Sequence, residues 1–261
     1  MLGWVWNGRE FAAADSVPLT DRAFRYGMSL FESVAVEQGK AEFWAEHIQR
    51  LLTSCVERDF AIDENALRAV EGVFASSGRD GFGRVYVTAG DGGPAAPIEA
   101  PRIFVFLEER ERNQDESWAL GLHEDTWHAT FAGLKTANYW LHCDALAEAK
   151  SRHLQEALLF NDHAELVSAC CANVFLVIGE QMLTPSRGSG CRHGVVREWV
   201  IKRRKVVERR IRREDVLKAD EIFLTNSWIG VMPIATLEGR PLGPIHIGSR
   251  LVGEWERRRS E

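Results

Sequence analysis

Residues 127–142 read WHATFAGLKTANYWLH, and Lys135 is the single formally charged side chain in that window. Asp125 lies just before the stretch and Asp144 just after it. Packed inward among Phe131, Leu134, Tyr139, Trp140 and Leu141, a lysine amine is desolvated. Loss of water disfavours the ammonium form, lowers the pKa and leaves an amine that can act as nucleophile and base. A lysine that forms a Schiff base with a carbonyl needs that state. A surface lysine on an edge strand or loop is the other, commoner reading of the same residues. The flanking sequence has to decide between them.

Downstream of this window, strand patterns recur at 157–160, 173–178, 181–184, 205–211 and 221–225, after one at 119–123. Helical patterns cover 140–153, 194–202 and 249–258. Upstream, WVW-NGR-EF reads as a short hairpin, and 29–36 with the Gln38-Gly39 turn as a second one. Residues 44–58 carry the apolar stripe Ile48, Leu51, Leu52 and Cys55, and 63–77 form a helix capped by Asp63. Strands at 84–89 and 102–107 flank the loop GDGGPAAP. The expected class is α+β: a small α+β domain over 1–110, a linker over 111–118 within the polar run EERERNQDES, and a larger, strand-rich, barrel-like domain over 119–261.

Bulk properties narrow the function. A chain of 261 residues accommodates one large domain or two modest ones. The formal net charge of -6 gives no reason to expect a nucleic-acid partner; the basic run KRRKVVERRIRR at 202–213 lies between two hydrophobic segments and reads as a solvated face. The beginning MLGWVWNGREF has no signal-peptide pattern, and no apolar run is long enough for a membrane span. Five cysteines at irregular spacing do not make a disulfide framework, and adjacent Cys170-Cys171 does not match a zinc spacing. The expectation is a cytoplasmic protein with no metal and no membrane partner.

Three places could bind an anion. Gly188-Ser189-Gly190 precedes Arg192-His193-Gly194-Val195-Val196-Arg197, a glycine-rich turn opening a helix, where free amides face outward. Thr225-Asn226-Ser227-Trp228 follows the strand EIFL. Arg50 lies three residues after His47 on one helix. Individually these also read as ordinary turns and a surface arginine.

In order along the chain, however, the pieces form a pattern: Phe31-Glu32, H-x-x-R-L from His47, K-T-x-N-Y from Lys135, E-A-L-L-F-N from Glu156, C-C-A-N-V-F from Cys170, G-V-V-R from Gly194 and T-N-S from Thr225. This series resembles the fold-type IV pyridoxal-phosphate enzymes, which include branched-chain and D-amino-acid aminotransferases and aminodeoxychorismate lyase. The segments DRA, HIQRL, GLK and CCAN are most similar to the lyases. The resemblance implies pyridoxal 5'-phosphate as cofactor, Lys135 as its Schiff-base lysine, and a small amino-substituted acid as substrate. Arg50, Val195, Val196, Ser227 and Trp228 would hold the phosphate, Tyr139 would face the ring's phenolic oxygen, and Asn173 would sit beside the ring. It also implies a homodimer whose pocket, between the two domains, is completed by the neighbouring subunit.

Several positions depart from the family pattern. The glutamate normally found five residues before the asparagine is Ser168 here. A carboxylate keeps the pyridine nitrogen protonated, whereas a hydroxyl offers one neutral hydrogen bond, so the ring becomes a weaker electron sink. That favours elimination, in which a leaving group carries charge away, over transamination; it equally fits a family member without turnover. Glu165 is three residues off and is expected on the other strand face. The Arg-x-His pair of D-amino-acid aminotransferases is missing from 87–92, Gly27-Met28-Ser29 replaces G-D-G, and Val196 stands where threonine is common.

Overall fold

The short alternating runs between Leu2 and Glu108 form one antiparallel sheet in the computed structural model, which describes residues 1–112, 118–127, 133–243 and 246–260. In chain order these elements are β1 (Leu2–Trp6), β2 (Phe11–Ala13), α1 (Arg22–Tyr26), β3 (Ser29–Glu37), β4 (Lys40–Ala41), α2 (Trp44–Glu57), α3 (Glu64–Ser77), β5 (Gly81–Thr88) and β6 (Arg102–Glu108). The sheet order is β2-β1-β6-β5-β3-β4. Helix α2 buries Ile48, Leu51 and Cys55, and α3 buries Leu67, Val70 and Phe74, against Val34, Val85 and Val105. Asp63 caps α3 by accepting the Asn65 N–H at 2.9 Å, and Gly78, at φ 63°, ends it.

One compact unit comprises Met1–Arg112 together with Leu134–Asn138. The expected partition put Lys135 in the larger domain, but its stretch belongs with the first unit. The reason is backbone pairing with β3: Phe31 N–H donates to Lys135 O at 2.8 Å, and Ala137 N–H to Ser29 O at 3.2 Å. A sequence window shows no such long-range pairing. Most of the expected linker, 113–117, and the part of the lysine window containing Phe131, 128–132, lie outside the described residues.

The other unit, Asn113–Gly133 with Tyr139–Glu261, is the strand-rich one. It contains β7 (Trp118–Trp127), α4 (Trp140–Ser151), β8 (Glu156–Asn161), β9 (Leu166–Ala169), β10 (Asn173–Ile178), β11 (Gln181–Pro185), α5 (Val195–Ile201), β12 (Val206–Arg209), α6 (Arg213–Leu217), β13 (Glu221–Asn226), β14 (Gly230–Leu237), β15 (Arg240–Pro241) and α7 (Ile247–Ser260). The order is β12-β11-β10-β13-β14-β7-β8-β9, with β15 on β14. Leu120, Leu158, Val174, Leu183, Ile222 and Ile234 point into one shared core, so the α+β class with a half-barrel second unit stands.

Four elements of this unit had no sequence signal. Strand β9 and helix α6 are too short to show a period, and β15 has two residues. Strand β14 contains Pro233, which removes a ladder donor and reads against a central strand. It fits because Pro233 pairs with Phe223 on one side while pairing with β7 begins only at Ile234. Among the described residues, no helix is long and apolar enough to cross a membrane.

Candidate active site

In the first unit, a carboxylate within an apolar strand organises its surroundings. Glu32 lies on β3 with 1% exposure. His47 Nδ1 is 2.8 Å from its Oε2. Arg50 donates from Nε to Oε1 at 2.7 Å and from Nη2 to Oε2 at 2.5 Å. Helical spacing puts His47 and Arg50 on one face of α2, which is how an imidazole and a guanidinium reach the same carboxylate. Burial alone raises the Glu32 carboxyl, but Arg50 and His47 outweigh it and hold the group well below the usual carboxylate range. Burial lowers His47, and the charges of Arg50 and Lys135 push the same way against the pull of Glu32. Because the ionised carboxylate can only accept, the His47 Nδ1 carries a proton that faces it.

Lys135 is half-buried. Its Nζ lies 4.1 Å from the centre of the Phe31 ring, which in turn stacks on Tyr86 at 5.1 Å. An amine against an aromatic face, with its backbone locked to β3, is held in place rather than waving from a loop. The sequence reading missed the Glu32–His47–Arg50 cluster as a unit. The signal was there: an acid inside SLFESVAV needs a cation, and H-x-x-R supplies two candidates at helical spacing.

In the second unit, three turns are tied to one another. Asn173, at the start of β10, donates from Nδ2 to Arg192 O at 2.7 Å and so fixes the turn that opens α5. Gly194 is at the N-cap, and a Cβ there would come 2.0 Å from Asn173 Oδ1. Val195 and Val196 begin α5, whose position is set by the buried Arg197, bonded to Pro185 O at 3.1 Å and Glu208 at 2.6 Å. Asn173 thus anchors the glycine turn, a role the sequence did not reveal.

Asn226 does the same for the β13–β14 turn. Its Oδ1 accepts the N–H groups of Trp228 and Ile229, each at 2.8 Å, and its Nδ2 donates to Cys171 O at 3.0 Å. Cys171 N–H is held in turn by both Glu156 oxygens, at 3.1 and 3.3 Å. Thr225 Oγ1, on β13 just before that turn, is buried without a partner among the described residues. An orphaned hydroxyl and a turn that tolerates no Cβ fit an oxyanion such as a phosphate.

Ser168 is half-buried on β9, opposite Leu159. Glu165 precedes that strand, and its carboxylate is engaged with Asn161 Nδ2 and Arg210 Nη1, both at 3.3 Å. Tyr139 stands at the start of α4, its ring stacked on His142 at 4.4 Å and its hydroxyl accepting from Arg192 Nη1 at 3.3 Å.

Burial pushes the Glu156 carboxyl up to about 7, from an ordinary 4.5, against the opposing pull of Cys170 and the Cys170 and Cys171 amides. A raised folded-state pKa means that stability present below 4.5 is lost as pH rises through 7, by about 3 kcal/mol in all. Glu156→Gln removes that dependence. The variant is expected to be the more stable protein at pH 8, with a urea midpoint that changes less between pH 5 and 8 than the wild type's. Parallel midpoints for the two proteins would refute this.

Residues 29–237 match the family model for amino-transferase class IV. An aminodeoxychorismate lyase of Vibrio harveyi is 27% identical over 84% of this chain and 86% of its own. A putative branched-chain-amino-acid aminotransferase of Methanocaldococcus jannaschii is 25% identical over 93% of this chain and 90% of its own. Among solved structures, the 4-amino-4-deoxychorismate lyase of Pseudomonas aeruginosa superposes with a TM-score of 0.88 at 26% identity, covering 98% of both chains.

Proposed function

Because the chain belongs to the class IV aminotransferase family, whose members are pyridoxal-phosphate enzymes, we propose that it catalyses elimination from an amino-substituted acid of the 4-amino-4-deoxychorismate type. Bound pyridoxal phosphate withdraws electrons from the carbon that carries the substrate's amino group. Lys135 would supply the amine that attaches the cofactor aldehyde and the base that removes and returns the substrate's proton. Arg50, Val195, Val196, Ser227 and Trp228 would hold the phosphate, with Glu32 orienting Arg50. Tyr139 would face the phenolic oxygen, and Asn173 keeps the glycine turn in place. Ser168 would meet the pyridine nitrogen.

Ser168 is the observation that carries elimination over transfer. No carboxylate substitutes for it from Glu165, which is committed to Asn161 and Arg210. The alternative, a branched-chain or other amino-acid aminotransferase, is supported by the similarity to the archaeal aminotransferase. The purified protein, supplied with pyridoxal phosphate and 4-amino-4-deoxychorismate, is expected to release 4-aminobenzoate and pyruvate. Faster amino transfer from an amino acid to a keto acid would reverse the assignment, and no cofactor absorption would leave a family member without turnover.

Ser168→Glu is expected to raise the rate of transamination by about 10-fold, since one pKa unit of added pyridinium stabilisation is about 1.4 kcal/mol. An unchanged or lower rate in a keto-acid assay removes this account of the position. A cytoplasmic homodimer is part of the proposal; exposed Leu19, Phe24 and Tyr26 around α1 support a subunit contact. Light scattering at micromolar concentration tests it.

A further inference from the structure

Arg192 is a half-buried cation of the second unit that no acid among the described residues answers. Arg197, five residues on, is bonded to Glu198 and Glu208. The half-buried Arg192 guanidinium has no carboxylate within ion-pair distance among the described residues. Among the described residues its acceptor is the Tyr139 hydroxyl at 3.3 Å, and the Tyr139 ring centre is 5.9 Å from its Cζ. Its Nε is buried and has no hydrogen-bond partner among the described residues. A half-buried cation with an unused donor is costly unless an anion completes it.

Its backbone is not free to carry the group away. Asn173 Nδ2 holds Arg192 O at 2.7 Å, and Asn173 in turn lies against Gly194. The guanidinium is therefore pre-positioned, with Nη1 towards Tyr139 and Nε still to be satisfied. A planar fork of this kind matches the two oxygens of a carboxylate or phosphate.

We propose that Arg192 is a specificity residue that binds the carboxylate of the substrate, next to Tyr139. The inference rests on the proposed function, and goes beyond it by naming the group that recognises the acid. The competing source of the same oxyanion chemistry is the cofactor phosphate, and the test separates the two.

The holoenzyme is titrated, by the change in cofactor absorption, with pyruvate, 4-aminobenzoate, D-alanine and L-alanine. The carboxylate-free counterparts are acetone, aniline and ethylamine. At least one acid is expected to bind ten-fold or more tightly than its counterpart to the wild type. Arg192→Gln is expected to bring that preference within about two-fold, with the pyridoxal-phosphate Kd unchanged within about three-fold, and Arg192→Lys to restore part of it. A preference that survives in Arg192→Gln overturns the proposal. So does a wild type with no preference, or a variant whose main loss is in cofactor affinity, which would assign Arg192 to the phosphate. A wild type that takes up no cofactor fails the functional reading itself, and is told apart by its own spectrum before any variant is made.

Discussion

Lys135→Ala is expected to lower turnover by about 10^3-fold or more, because no other group on the chain is proposed to provide both the covalent attachment and the proton transfer. Two measurements bear on it. Borohydride treatment of the wild type with pyridoxal phosphate should fix the cofactor's mass onto the peptide containing residue 135, and should fix none in the variant. Folding should be little affected. The contacts of Phe31 N–H with Lys135 O, and of Ala137 N–H with Ser29 O, use backbone atoms that alanine retains. The side chain's contact with the Phe31 ring contributes about 0.5–1 kcal/mol. A variant that keeps wild-type turnover would remove the proposed role of Lys135.

Arg50→Ala is the largest expected loss of stability, about 3 kcal/mol. Taking one partner from a buried pair leaves the other uncompensated, and the 20% exposure of Arg50 places this pair at the low end of such losses. The pH dependence distinguishes this from simple truncation. In the wild type the folded-state Glu32 carboxyl lies below its ordinary value, so its contribution is present above about pH 4.5 and is lost as pH falls. Without Arg50, the burial that raises the group has less to oppose it. The folded-state pKa then moves up, and the stability that the ionised carboxylate contributes above about pH 4.5 shrinks. The difference in urea midpoint between wild type and variant should therefore widen from pH 3 to pH 7. A difference that is constant, or that narrows, would show that the guanidinium's charge is not what Glu32 depends on. The same variant should also bind pyridoxal phosphate more weakly if Arg50 holds the phosphate.

Much of the molecule was legible before any coordinates. Periodicity located α2, α3 and β10 because each element's apolar face repeats over a length that a window can read. The ordered residues around Lys135, Asn173 and Gly194 led to the family, because chemistry at a cofactor restricts residue types at fixed positions. The strands that escaped notice were those too short for a period, or, in β14, interrupted by a proline whose missing N–H is accommodated only by where β7 pairing begins.

The chain alone therefore determined most of the elements, the α+β class and the family, since local patterning and residue chemistry are properties of neighbours in sequence. Tertiary structure decided which compact unit Lys135 joins, that Glu32 gathers His47 and Arg50, that Asn173 and Asn226 brace separate turns, and that no acid among the described residues meets Arg192. Each of these depends on residues far apart in the chain whose meeting is set by strand pairing and burial. Burial also makes an unmatched charge or an unused donor costly, which is why these residues, and not their exposed equivalents, carry the predictions.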